Sequence, residues 1–182
     1  MKELSLNILD ITENSTKAGA TLVEISIQER DNILTLIIKD NGSGMTPETL
    51  NAVCDPFYTT RTTRKVGMGI PLLKFAAEQT GGNIKIESIH KSIAPDSHGT
   101  TVTAVFYKNH IDFTPLGDVI STITTLIQGH PEVDFLFTHT GEGFSIILDT
   151  REIRDVLDGV PLDTFEVLLW IKENLAEQYN SI

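Results

Sequence analysis

The chain has 182 residues, 40% of them hydrophobic and 21% charged, enough apolar side chain for a packed core, which excludes pervasive disorder and collagen-like repeats. Asp and Glu number 25 against 14 Lys and Arg, a formal net charge of -11, so the average surface repels phosphate backbones and anionic lipid; neither nucleic acid nor a membrane is an expected partner. The single Cys54 can close no internal disulfide, and no apolar run or N-terminal signal layout is present, which together lead to the expectation of a cytoplasmic protein.

In chain order, Leu4, Ile8 and Ile11 give the segment from Glu3 to Lys17 a helical period, with Gly19 suited to the left-handed position after it. The runs Thr21 to Arg30 and Ile33 to Asp40 alternate apolar and polar residues and predict a hairpin turning at Asp31-Asn32. Thr46, Pro47 and Glu48 predict the start of a short helix after the loop NGSGM. A second loop, DPFYTTRTTRKV, leads to GMGIPLLKFAAEQTGG, which reads as a helix opened by glycines and ended by Gly81-Gly82. Two more strands are predicted at Asn83 to Ile89 and Thr100 to Tyr107. This order predicts a two-layer α/β sandwich, because regular βαβ alternation is missing. Past a boundary near His110, the stripe Leu116, Val119, Ile120, Ile123 and Ile127, a hairpin around Gly141-Gly143 and two helices capped by Thr150 and Asp163 predict a small αββαα module. The expected division is thus 1–109 and 110–182.

Three patterns carry chemistry. Asp10, Asn14 and Lys17, spaced four and three apart, share one helix face. An acid that orients water, an amide oxygen that holds Mg²⁺ and a cation for phosphate would line one groove, although such a face alone reads as solvated surface. In DNGSGM, Asp40 ends a strand and can accept from the exocyclic amine of adenine, while Gly42 and Gly44 admit close backbone approach; alone, this is also an ordinary turn. In GMGI, Gly67 and Gly69 at a helix N-terminus leave amides for an anion, and Arg61, Arg64 and Lys65 precede them as a cationic cluster in an acidic chain.

Taken in order, the Asn-bearing helix, DNGSGM, PFYTT, GMGI and the GTT of Gly99–Thr101 resemble the ATP-binding domain shared by gyrase, Hsp90-type chaperones, histidine kinases and mismatch-repair ATPases, over about residues 2 to 107. The resemblance implies the Bergerat-type α/β sandwich, with ATP and Mg²⁺ as cofactors. It implies Asn14 as the Mg²⁺ ligand, Asp40 as the adenine-reading acid, and Thr100 as a support for that acid. Gly42, Gly44 and Met45 would lie against the base, and Lys17, Gly67, Met68, Gly69 and Ile70 near the phosphates. Tyr58, Thr60, Arg61 and Lys65 would belong to the lid. The turn after Asn14, with its alanine-glycine-alanine run, is similar to mismatch-repair members, but the short lid between Phe57 and Gly67 is similar to histidine kinases and decides between them.

Two departures qualify the resemblance. The residue four before Asn14 is Asp10, where hydrolytic members carry glutamate, so a water-activating role would rest on an arm one methylene shorter. The chain also begins at the nucleotide-binding helix, and the five histidines, His90, His98, His110, His130 and His139, read as surface or structural residues. A phosphoacceptor is therefore expected on a partner protein. The expected function is phosphoryl transfer from ATP to that partner in signalling; the alternatives are a nucleotide-gated binding module of the anti-sigma-factor kind and a slow accessory ATPase. Cys54 reads as a buried thiol, Glu13 as salt-bridged or solvated, and Trp170 as core or interface.

Overall fold

A computed structural model describes residues 3–53 and 68–182. Its elements are α1 (Leu4–Lys17), β1 (Leu22–Arg30), β2 (Ile33–Asp40), α2 (Pro47–Ala52), α3 (Gly69–Gln79), β3 (Asn83–Ile89), β4 (Gly99–Tyr107), α4 (Val119–Gly129), β5 (Asp134–Gly141), β6 (Phe144–Asp149), α5 (Thr150–Leu157) and α6 (Phe165–Asn180). The strands form one six-stranded sheet in the order β3-β4-β2-β1-β5-β6. All neighbours are antiparallel except β1 and β5, which run parallel from Leu22 opposite Asp134 to Gln28 opposite Thr140.

Alternation along the strands sends one set of side chains into the core: Val23, Ile25 and Ile27 from β1, Leu34, Leu36 and Ile38 from β2, Val102, Ala104 and Phe106 from β4, and Phe135 and Phe137 from β5. Helices cover that buried face, so the two-layer α/β sandwich expected from the element order is the observed architecture. The hairpin turn sits where predicted, with Asp31 in the left-handed region at φ 52°, as do Gly19 at φ 75° and Gly81 at φ 83° after their helices.

The segment beyond residue 110 continues the same sheet and the same core. Its strand β5 extends the edge at β1, and Ile123, Phe135, Leu148 and Ile171 belong to one apolar cluster with Leu4, Ile8 and Ile25. The first turn of α1 lacks a side-chain cap, and the carbonyls of Pro115 and Leu116 accept from the N–H groups of Leu4 and Ser5, at 2.9 Å each.

Two details differ from expectation. The N-caps of α5 and α6 are Asp149 and Thr164, each one residue from the predicted position. Thr150 instead turns inward: its hydroxyl accepts from Phe135 N at 2.8 Å and donates to Asp134 Oδ1 at 3.1 Å, a role for a buried hydroxyl that periodicity does not reveal. Trp170 is 52% exposed, beside an exposed Leu169, while Leu168 and Ile171 face the core, so Trp170 is not a core residue.

Candidate functional site

The geometry is built around Asp40, at the end of β2. Oδ1 accepts from Gly42 N at 2.9 Å and from Thr100 N at 3.2 Å, and Oδ2 accepts from the Ser15 hydroxyl at 2.7 Å. Pairing of β2 with β4 places Asp40 opposite Thr100, and the buried stripe of α1 brings Ser15 down onto it. Three donors from three elements hold the carboxylate as an acceptor in one orientation, with a remaining lone pair on Oδ2. The Thr100 hydroxyl shares a 2.8 Å hydrogen bond with Ser88 Oγ, which also accepts from Met45 N at 2.8 Å.

The two glycines of the loop 41–45 sit where a side chain would be crowded. A Cβ on Gly42 would lie 3.0 Å from Ala18 Cβ and 3.1 Å from Asp40 Oδ1. Gly44 has φ 66° and packs its Cα against the Ile89 carbonyl, where a side chain would collide with backbone. Asn41 is structural: its Oδ1 accepts from Thr21 N at 2.9 Å and Leu22 N at 3.0 Å, tying the end of β2 to the start of β1.

The N-terminus of α3 meets α1. A Cβ on Gly69 would lie 3.4 Å from Asp10 Cβ and 3.7 Å from Asn14 Nδ2, so glycine allows the helix start to abut the face carrying both residues. Asp10 and Asn14 are exposed there. Met68, the N-cap of α3, has no side-chain cap bond and an exposed side chain, so the first N–H groups of α3 are not satisfied by a cap. Ile70 is in the core and can offer a ligand only its backbone. Lys17 is directed differently: its ammonium pairs with Glu13 Oε2 at 2.9 Å, and Glu13 Oε1 bonds His130 Nε2 at 2.7 Å. Burial pushes the Glu13 carboxyl up, but hydrogen bonds from His130 and Lys17 outweigh it and its pKa lies below the ordinary value.

The expected site residues thus fall in two groups: Asp40, Gly42, Gly44, Met45 and Thr100 around the end of β2, and Asp10, Asn14, Met68, Gly69 and Ile70 at the contact of α1 with α3. Tyr58, Thr60, Arg61, Lys65 and Gly67, together with Cys54, lie outside the described residues. Sequence reasoning did not single out Ser15, Ser88 or His98. Ser15 left a signal, a hydroxyl on the apolar stripe of α1 that needs an acceptor from another element. Among the described residues no three His, Cys, Asp or Glu side chains converge as a metal cluster. Asp10 and Asn14 lie on one exposed face, and a hard amide oxygen such as that of Asn14 is chemically suited to Mg²⁺ completed by water and phosphate oxygens.

A family model described as histidine kinase-, DNA gyrase B-, and HSP90-like ATPase matches residues 1–111. Sensor protein SrrB of Staphylococcus aureus is 33% identical over 93 residues, covering 48% of this chain and 16% of that protein. Among solved structures, the N-terminal domain of a DNA repair protein superposes with a TM-score of 0.58 at 16% identity, over 82% of this chain and 53% of that one. The Aquifex aeolicus MutL ATPase domain complexed with ADP gives 0.54 at 18% identity, over 87% of this chain and 70% of that one. Both likenesses in fold cover more of the chain than residues 1–111. With the family match spanning more than half its length, this chain belongs to the histidine kinase-, DNA gyrase B-, and HSP90-like ATPase family.

Proposed function

We propose that the chain binds ATP with Mg²⁺ in the groove between loop 41–45 and the α1–α3 contact, and transfers the γ-phosphoryl group to a histidine on a partner protein in signalling. The observation that carries this reading is the triply bonded Asp40 carboxylate, an oriented acceptor for the adenine amine. The α3 N-terminus would receive phosphate oxygens, and Asn14 would hold the metal. When bound, Mg²⁺ neutralises charge on the phosphates. Lys17 would leave Glu13 to meet them; an exposed i,i+4 pair is worth only ~0.5 kcal/mol, too little to hold it back. In the transfer, the partner's imidazole nitrogen forms the new bond to phosphorus as the bond to the β-phosphate oxygen breaks. Asp10 would orient the acceptor, and Arg61 and Lys65 of the lid would stabilise developing charge.

Asp10 also supports a second reading. Its short arm disfavours water activation, which fits a nucleotide-gated binding module as well as a kinase and fits a slow accessory ATPase less well. The net charge of -11 supports a protein partner over nucleic acid, and the lone cysteine supports the cytoplasm. Among the described residues no helix is long and apolar enough to cross a membrane. Incubation with γ-labelled ATP and candidate partners, chosen by gene neighbourhood, tests the proposal: acid-labile label on the partner is expected, whereas tight binding without transfer or turnover supports the second reading.

A further inference from the structure

The loop 41–45 is clasped from above by the segment joining β3 and β4. Lys91 N donates to the Ser43 carbonyl at 2.9 Å, and Gly44 packs against the Ile89 backbone. These contacts are made by main chain and any residue could supply most of them. One clasp is a side chain: Nδ1 of His98 is hydrogen bonded to the Gly42 carbonyl. Since a carbonyl can only accept, Nδ1 carries the proton.

This bond fixes one of the two peptide groups flanking the Gly42 Cα, that of Gly42–Ser43, whose Ser43 N also donates to the Ala18 carbonyl at 2.8 Å. The preceding peptide, Asn41–Gly42, donates its N–H to Asp40 Oδ1 at 2.9 Å, and a Cβ added to Gly42 would lie 3.0 Å from Ala18 Cβ. His98 then holds the carbonyl. It directly precedes Gly99 and Thr100, and Thr100 N donates to the same Asp40 oxygen at 3.2 Å. Gly99, at φ 138°, packs against the Asp40 carbonyl, where a Cβ would collide. His98 and the first residues of β4 therefore act side by side: Thr100 N holds the acid, and the His98 ring holds the Gly42 carbonyl.

We propose that His98 is a positioning residue that sets adenine selectivity by holding the Gly42 peptide in register with the Asp40 carboxylate. The inference rests on the ATP reading given above. An ionised carboxylate accepts from the adenine amine but repels the carbonyl oxygen that guanine carries at the same place. That discrimination is sharp only while the carboxylate and the neighbouring peptide keep a fixed offset. Without His98 the Gly42 carbonyl loses its side-chain donor and, among the described residues, the Gly42–Ser43 peptide keeps only the bond from Ser43 N to the Ala18 carbonyl; the slack at the Gly42 Cα passes to the preceding peptide, whose N–H orients Asp40.

The test is calorimetric titration of the full chain with ATP and with GTP, each with Mg²⁺, for wild type, His98→Ala, His98→Asn and His98→Gln, with melting temperatures in parallel. Wild type is expected to prefer ATP. His98→Ala is expected to lose about tenfold in ATP affinity, near 1.4 kcal/mol, and to narrow the ATP to GTP ratio. His98→Asn puts an N–H donor where Nδ1 was and is expected to restore both; His98→Gln places its amide at the Nε2 position and is expected to restore neither. Wild-type affinity and ratio in His98→Ala would overturn the inference while leaving the ATP reading intact, as would equal behaviour of the Asn and Gln variants at equal melting temperature. Absence of ATP binding in wild type would instead overturn the ATP reading and the inference with it.

Discussion

Asn7 sits 1% exposed on the side of α1 that also carries Asn14, and neither atom of its amide has a hydrogen-bond partner. A buried amide without partners costs about 1–3 kcal/mol, and leucine has nearly the same shape without that cost. Asn7→Leu is therefore expected to raise the unfolding free energy by about 1–3 kcal/mol in urea titration; a lower stability would show that a bound water satisfies the amide. This residue also marks a limit of sequence reading. Asp40, Gly42 and Thr100 are legible because their roles follow from residue type and order. Ser15 and His98 act through partners 25 and 56 positions away, and only the packing of α1 on β2 and of the β3–β4 loop on residues 41–45 brings them there.

Whole elements were read well where one face is buried. The strands β1 and β2 follow from alternation, and α1 and α4 from helical stripes ending at glycine. The helix α6 was read less well, because Trp170 suggests burial by type while its position on the helix points outward. Its apolar stripe, Val167, Leu168, Ile171 and Leu175, is buried, and its C-terminal end is held by polar contacts as well. Tyr179 OH lies 2.8 Å from Nδ1 of His139, whose Nε2 is 2.9 Å from Glu29 Oε1, and Lys108 pairs with Glu29 Oε2 at 2.6 Å. With Nε2–H donated to the carboxylate, Nδ1 accepts from the tyrosine. The Gln178 amide bonds both N and O of Ile147 at 3.0 Å, closing part of the exposed edge of β6. Burial lowers the His139 pKa from its ordinary 6.5, more than its bond to Glu29 raises it. The folded state therefore holds this imidazole neutral, and its contribution to stability is complete above pH 6.5 and is lost as pH falls through the lowered value. The urea midpoint is expected to fall more steeply between neutral and mildly acidic pH in wild type than in His139→Asn; equal slopes would contradict the assignment.

At the scale of the whole molecule, the C-terminal segment is tied to the ATPase-like part by the shared core and by several polar contacts. It supplies β5 to the β1 edge, the carbonyls that cap α1, and His130 to Glu13 on the helix that bears Asn14. We propose that residues 110–182 act as a buttress rather than as an independent unit. A chain ending at Asn109 is expected to be insoluble or to lose the cooperative thermal transition, since the β1 edge and the α4-facing side of α1 would be bare; a soluble, nucleotide-competent truncate would contradict this. The sequence marked where the family-like region ends but not this attachment, because parallel pairing of β1 with β5 joins segments more than 100 residues apart and leaves no local pattern. The central claim is the proposed ATP site formed by Asp40 and Asn14. Isothermal titration of the full chain with ATP and Mg²⁺ tests it: wild type is expected to bind, and Asp40→Asn and Asn14→Ala each to weaken binding by at least about tenfold, near 1.4 kcal/mol, without loss of fold. Unchanged affinity in both variants, or no binding by wild type, would contradict it.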